Sequence, residues 1–307
     1  MTFKTILKNN PFICFYRKKR KDFNQKKLNA LSDEDFIRLI YLRKFGREIN
    51  LDNPKTYNEK LQWLKLYYHN PLYTKLVDKY AVKEYIADII GEKYVIPTLG
   101  VWKHFDEIDF EKLPDCFVLK CNHGSGDAVI VKDKTSFDKA LARKKIEASL
   151  RNNYYILSRE WPYKNISPRI IAEPYLEDSK TKELRDYKFF CFNGDVKAMF
   201  VATDRQKQGE EVKFDYFDAE YNHLPLLQEH ENASVAPEKP LNFEEMKQIA
   251  SKLSKGFPEA RIDLYDVNGK VYFGEITFFH FGGFMPFVPE KWDYTFGSWI
   301  ELPDKMV

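Results

Sequence analysis

Cysteine is scarce in this chain of 307 residues: four, at positions 14, 116, 121 and 191. They are too scattered for a disulfide framework, and no Cys-x-x-Cys pair exists to start a zinc ribbon, so a reducing, intracellular compartment is expected. No stretch approaches 18 uncharged apolar residues, which excludes a membrane-spanning helix. The apolar patch Pro11–Tyr16 lacks the core and the small-residue cleavage site of a signal peptide. Six histidines show no metal-ligand spacing, and neither Gly-x-Ser-x-Gly nor a Cys–His signature points to a covalent hydrolase. Internal repeats and low-complexity segments are also missing. Net charge is nearly absent, 49 basic against 46 acidic residues, so a uniformly basic nucleic-acid binder is excluded. With 44% hydrophobic and 31% charged residues, the composition is that of a globular protein rather than a disordered, collagenous or coiled-coil one.

The small net charge is an average of two unlike parts. Residues 1–30 hold nine basic residues against Asp22 alone, a charge of +8, which leaves 40 basic and 45 acidic residues, −5, for the remainder. The first thirty residues read as a basic, weakly ordered tail. Phe12, Ile13, Phe15 and Tyr16 flank Arg17–Lys21, a pattern that also suits contact of residues 1–27 with an anionic membrane surface. The expected location is cytoplasmic, with peripheral contact at the inner face of the cell membrane through this tail.

From Ser32 the pattern turns helical, with Glu34 and Asp35 in the first turn. Asn53-Pro54 marks a turn before an amphipathic helix through Tyr57, Leu61 and Leu64, and a further helix fits Lys75–Ile90, closed by Gly91. Phe117–Cys121 is a short apolar strand that runs into Gly124-Ser125-Gly126, with a returning strand at Ala128–Val131. A helix from Ser136 to about Asn152 precedes a polar stretch, Ser158–Arg169, expected to be a mobile loop. Ile170-Ile171-Ala172 is a buried strand. Asn193-Gly194 and Asn268-Gly269 each join two strands, which predicts hairpins over 187–202 and 261–277. Between them Leu241–Lys255 reads as a helix capped by Asn242 with Glu245 three residues on. Helices followed by antiparallel hairpins argue for an α+β fold.

Four groups of residues carry chemical potential. Arg261 and Asp263 share a face of one strand, as do Glu275 and Thr277 on its partner. A two-residue Asn-Gly loop sends Glu275 to the opposite side from Asp263, whereas a three-residue loop brings all four together. Converging carboxylates there suit a hard-oxygen Mg²⁺ site completed by phosphate, and solvated charges on an edge hairpin are the plain alternative. Lys120 lies in an otherwise apolar strand before Gly124-Ser125-Gly126; an ammonium there needs an anion, permanent or bound, and glycines let backbone N–H groups approach phosphate. No Gly-Lys-Ser/Thr follows, so this is not a P-loop. Glu173-Pro174-Tyr175-Leu176 closes a strand in a way that suits a base-binding hinge or merely ends it. Asp186 and Lys188 begin the first hairpin and suit a ribose or phosphate contact, or a surface ion pair.

In chain order, the segments Asn53–Trp63, Lys120–Gly126, Asp186–Gly194 and Gly274–Phe279 resemble the TupA-like ATP-grasp family, associated with teichuronopeptide and other bacterial surface polysaccharides. The resemblance spans about residues 32–303. It implies an ATP-grasp fold with a nucleotide between two α+β lobes: after the tail of 1–30, a helical region over 31–100, a small lobe over 101–176 and a large lobe over 177–307. It implies that Lys83 and Lys120 contact ATP phosphates and that Gly124, Ser125 and Gly126 close over them. Glu173, Tyr175 and Leu176 would meet adenine, Asp186 the ribose with Lys188 nearby. Asp263, Glu275 and Thr277 would hold Mg²⁺, and Arg261 would act catalytically with Lys120 by steadying developing charge. Thr277 stands where the superfamily often has Asn, Lys83 where many relatives have Arg, and His280-Phe281 is a further departure. The implied reaction joins a carboxylate to an amine through an acyl phosphate, on a surface-polysaccharide precursor such as capsule or O-antigen, with no nucleic acid partner. A kinase acting on a sugar or polyol with the same constellation, and a non-catalytic nucleotide-binding protein, stay open as alternatives.

Overall fold

The structure, a computed structural model, describes residues 26–204, 209 and 211–306. Most of the basic tail, residues 1–25, lies outside the described residues. The chain divides into two compact units, Met1–Ile49 and Asn50–Val307. No helix among the described residues is long and apolar enough to cross a membrane.

The first unit contributes α1 (Asp33–Phe45). Ser32 Oγ accepts from Asp35 N at 3.1 Å, three acids occupy the first turn, Arg43 and Lys44 the last, and Gly46 closes the helix at φ 69°. Charges of this order oppose the helix dipole at both ends.

The second unit is built on two antiparallel sheets. Strands β1 (Gly100–Trp102), β2 (Phe117–Cys121), β3 (Val129–Val131) and β4 (Ile170–Pro174) form a four-stranded sheet in the order β1-β4-β2-β3. Its inner face packs Phe117, Leu119, Ile170 and Ala172 against Ala142 and Ile146 of the helix Lys139–Leu150. Strands β5 (Asp186–Phe192), β6 (Asp195–Thr203), β7 (Lys213–Asp218), β8 (Ala260–Val267) and β9 (Lys270–Thr277) form the second sheet, ordered β7-β6-β5-β8-β9. Every residue of β5 is buried, as expected of a central strand covered on both faces. The helix Phe243–Ser254 covers one face through Phe243, Met246 and Leu253.

The helix Tyr57–Tyr67 belongs to the packing of this second sheet. Thr56 and Glu59 form a reciprocal capping box at its start. Tyr57 then meets Phe190 of β5 and Phe296 edge-on, and its hydroxyl donates to Glu259 at 2.9 Å.

Four expectations need correction. The helix over Lys75–Ile90 is two, Leu72–Val77 and Val82–Ile90. Asp78 breaks it: Oδ1 accepts from Tyr80 N and Ala81 N, and Oδ2 from Asn122 Nδ2 at 2.8 Å, so a tertiary contact fixes a turn inside a helical pattern. Asn242 does not cap the helix after it; its side chain donates to Asp266 at 3.1 Å, while Glu245 accepts from the Tyr94 hydroxyl. The stretch Ser158–Arg169 is not an open loop. A short helix, Tyr154–Ser158, runs into it, a 3₁₀ turn over Trp161–Tyr163 follows, Arg159 is buried and Trp161 stacks on Tyr73.

The fourth concerns the hairpin β8–β9. Its turn is the two-residue loop Asn268-Gly269, both at positive φ, yet Asp263 pairs with Glu275 and Arg261 with Thr277. A bulge between Asp263 and Leu264 on one side and at Gly274 on the other supplies the extra residue. A Cβ on Gly274 would lie 3.0 Å from the Asp263 carbonyl, so the bulge is made at a glycine for want of space.

Candidate nucleotide and metal site

The two sheets face each other across a cleft of about 310 Å³. Lys120, Gly124, Ser125, Gly126, Glu173, Tyr175, Leu176, Asp186, Lys188 and Glu275 all line it, although they come from β2, β4, β5, β9 and the loops between. Lys83, Arg261, Asp263 and Thr277 do not line it. Arg261 and Asp263 lie directly behind the lining residues they bind, and Lys83 lies behind Glu173.

The strand lysine has a permanent anion. Alternation puts Lys120 and Val118 on one face of β2, and Val118 pairs with Glu173 of β4. Lys120 Nζ is 2.6 Å from one Glu173 oxygen, and Lys83 Nζ is 2.7 Å from the other. Burial alone raises the Glu173 carboxyl, but the two lysines outweigh it and the net shift is downward. Lys83 also donates to Ile96 O and Thr98 Oγ1, which commits its ammonium to protein groups. β4 ends at Pro174, so Tyr175 and Leu176 pass along the cleft outside the sheet's ladder, beside the apolar side chains Val118, Ile130 and Leu184.

At the other end the carboxylates meet a cluster of cations. Asp263 is wholly buried; Arg261 grips it through Nε at 2.7 Å and Nη2 at 2.8 Å, and Lys188, its cross-strand neighbour, binds its second oxygen. Lys188 also sits 3.4 Å from Asp186. Arg261 Nη2 reaches on to Glu275 at 3.2 Å and to Thr277 Oγ1 at 3.0 Å. Burial raises the Glu275 carboxyl, while Lys79, Lys188 and Arg261 hold it well below the usual range, so it is ionised at any neutral pH. Burial lowers the Lys188 ammonium despite Asp263 beside it.

Sequence reasoning passed over three contributors. Lys79 stands on the turn that Asp78 creates; its Nζ donates to Gly124 O at 2.6 Å and lies 3.4 Å from Glu275, linking the glycine loop to the carboxylate end. The only local signal was the dipeptide Asp-Lys, hidden inside an apparent helix. Asp127 accepts from Cys121 N and Ser149 Oγ and fixes the root of the loop, and a Cβ on Gly124 would lie 2.3 Å from its carboxylate. Tyr154 Oη meets both Ser125 N and Ser125 O at 3.0 Å, holding the tip. His123 is spent on Asn122 and the Asn152 carbonyl, and is a hydrogen-bonding rather than a reacting histidine.

The donor set fits Mg²⁺ and a polyphosphate together. Among the described residues no group of three or more His, Cys, Asp or Glu side chains can hold a metal alone. Glu275 lines the cleft and offers a hard oxygen there, while its cross-strand partner Asp263, held on both oxygens by Arg261 and Lys188, stands directly behind it; a cation at Glu275 would take its remaining ligands from phosphate and water. Lys79, Lys120 and Lys188 reach the same cleft as the glycine loop, so its inner end is prepared for several negative charges.

Among solved structures the chain is similar to the ATP-grasp ligase PsnB complexed with minimal precursor, Mg and ADP, at 12% identity over 72% of this chain and 57% of that one, TM-score 0.38. It is similar to D-alanine–D-alanine ligase from Bacillus anthracis complexed with ATP, at 16% identity over 66% and 53%, TM-score 0.38. D-alanine–D-alanine ligase from Helicobacter pylori matches at 13% identity over 82% and 68%, TM-score 0.43. The chain thus spans little more than half the length of the first two. No curated protein matches it. The family description "TupA-like ATPgrasp" matches residues 59–301, four fifths of the chain and every side chain that builds the cleft, and the protein belongs to that family.

Proposed function

We propose that the protein is an ATP- and Mg²⁺-dependent ligase that joins a carboxylate to an amine through an acyl phosphate, on a precursor of a bacterial surface polysaccharide. Membership of the ATP-grasp family supports use of ATP with Mg²⁺. One observation carries the rest: residues separated by more than 150 positions, from Lys120 to Glu275, converge on one cleft with cations on its walls and, at its inner end, the Glu275 carboxylate backed by its cross-strand partner Asp263. In this reading Lys120, Lys188 and Lys79 bind and orient the phosphates, and the glycine loop covers them. Tyr175 and Leu176 border the base, and Asp186 meets the ribose. Asp263 and Glu275, with Thr277 beside them, would hold Mg²⁺, which supplies charge neutralisation at the transferred phosphoryl group. Arg261, enclosed behind Glu275, sets the carboxylates in place. Phosphoryl transfer needs positioning and charge more than a nucleophilic side chain, in keeping with a cleft built mainly of cations and carboxylates.

A coupled ADP-release screen across amino-acid and uronic-acid acceptors, with and without an amine, tests this reading. ADP release that requires both a carboxylate and an amine is expected. Phosphorylation of a hydroxyl acceptor without an amine would contradict it and mark a kinase instead.

A further inference from the structure

Behind the carboxylate end lies a buried polar chain, Arg261, His280 and Gln228, none of which lines the cleft. Arg261 spends Nε and Nη2 on Asp263, Glu275 and Thr277, and its remaining nitrogen, Nη1, lies 2.7 Å from His280 Nδ1. A guanidinium only donates, so Nδ1 must be the acceptor and the imidazole proton must sit on Nε2. Gln228 fits that assignment. Its amide nitrogen donates to Met285 O at 2.9 Å, which turns Oε1 toward His280 Nε2, also at 2.9 Å, and toward the Tyr216 hydroxyl.

The ring itself has nowhere to go. His280 is 1% exposed, with Phe190 edge-on at 5.0 Å and Phe200 and Phe281 tilted beside it at 5.6 and 4.3 Å. The following loop is held just as firmly. Phe281, Gly282 and Gly283 all take positive φ, and Gln62 and Lys65 bind the carbonyls of the two glycines. Burial and the neighbouring Arg261 keep the imidazole neutral.

We propose that His280, oriented by Gln228, is a positioning residue: its Nδ1 fixes the plane of the Arg261 guanidinium and so the spacing of Asp263 and Glu275. This rests on the cleft being the Mg²⁺·nucleotide site. Remove the acceptor, and Arg261 Nη1 loses the one partner it has among the described residues, leaving the guanidinium held only from its Nε and Nη2 side; it can then turn and let the carboxylates drift apart.

Two variants separate the acceptor from the bulk of the ring. His280→Asn keeps an oxygen near the Nδ1 position, and His280→Gln keeps a donor near the Nε2 position with nothing for Arg261. Both leave a small cavity, so a purely structural role affects them alike. ATP binding to the full chain is measured by calorimetry at stepped Mg²⁺ concentrations, with thermal unfolding as the check on folding. H280N is expected within threefold of the wild type in its half-saturating Mg²⁺, and H280Q at least tenfold above it. Should H280Q fail to fold, Gln228→Leu, which leaves Arg261 and His280 in place but frees the ring's tautomer, is expected to shift in the same direction. Equal Mg²⁺ dependence in the Asn and Gln variants overturns the inference while leaving the cleft reading intact. A wild type with no Mg²⁺-dependent ATP binding overturns both.

Discussion

Glu173 divides its two oxygens between Lys83 and Lys120, and the two lysines thereby differ in what they can do. Lys120 lines the cleft; Lys83 is enclosed by Glu173, Ile96 O and Thr98. Lys83→Met should act mainly on stability, at about 3 kcal/mol for breaking one half of a buried ion pair. Lys120→Met should lower Mg·ATP affinity at least tenfold more than Lys83→Met does. Denaturant unfolding and calorimetry on the two variants check this. A second residue-scale prediction concerns Glu259, which is buried, accepts from Tyr57 at one oxygen and is pushed up to about 8 by burial. Because its pKa is raised in the fold, the stability it contributes is complete below the ordinary carboxylate range and is lost as pH rises toward 8. Glu259→Gln should therefore gain on the wild type between pH 5 and pH 8, by about 1.4 kcal/mol per pH unit at most. A difference in thermal midpoint that does not change with pH would contradict that.

Elements show where sequence patterns stop being informative. Both Asn-Gly hairpins were legible, because a two-residue turn with two positive φ angles is a local matter. The bulge at Gly274 was not, since it is decided by what Glu275 meets across the ladder, and the turn alone would have put that carboxylate on the wrong face. Likewise the periodicity over 75–90 runs unbroken through Asp78, and the turn there joins local bonds from Tyr80 N and Ala81 N to a contact with Asn122, 44 residues away, which delivers Lys79 to the cleft. The Asn242 cap failed for a similar reason: Asp266 competes for the same side chain. Gly274→Val should disturb the bulge, crowding the Asp263 carbonyl and the Tyr265 ring. It is expected to cost about 2 kcal/mol of stability and to raise the Mg²⁺ needed for ATP binding at least tenfold. A Gly274→Val chain with unchanged Mg²⁺ dependence would mean that the pairing of Asp263 with Glu275 is incidental.

For the molecule as a whole, the order of short segments along the chain was more telling than any one of them. Gly124-Ser125-Gly126 alone is an ordinary turn, yet with Lys120, Asp186, Lys188 and Glu275 it lines a single cleft, and the family match covers all of them. What the sequence left open was the arrangement of charge inside that cleft: which anion answers Lys120, which cations cover Asp263, and how His280 and Gln228 stand behind Arg261. Those are products of strand register and burial, which follow from the packed fold rather than from spacing. We propose that this cleft binds Mg²⁺·ATP through its lysines and the Glu275 carboxylate backed by Asp263. Calorimetric titration of ATP into the full chain, the Lys120→Met variant and the Glu275→Gln variant, each with and without Mg²⁺, addresses it directly. One saturable site is expected in the wild type, strengthened by Mg²⁺, weakened at least tenfold in Lys120→Met, and stripped of its Mg²⁺ dependence in Glu275→Gln. Wild-type binding that neither substitution alters, or no binding at all, would show that the cleft is not the Mg²⁺·ATP site.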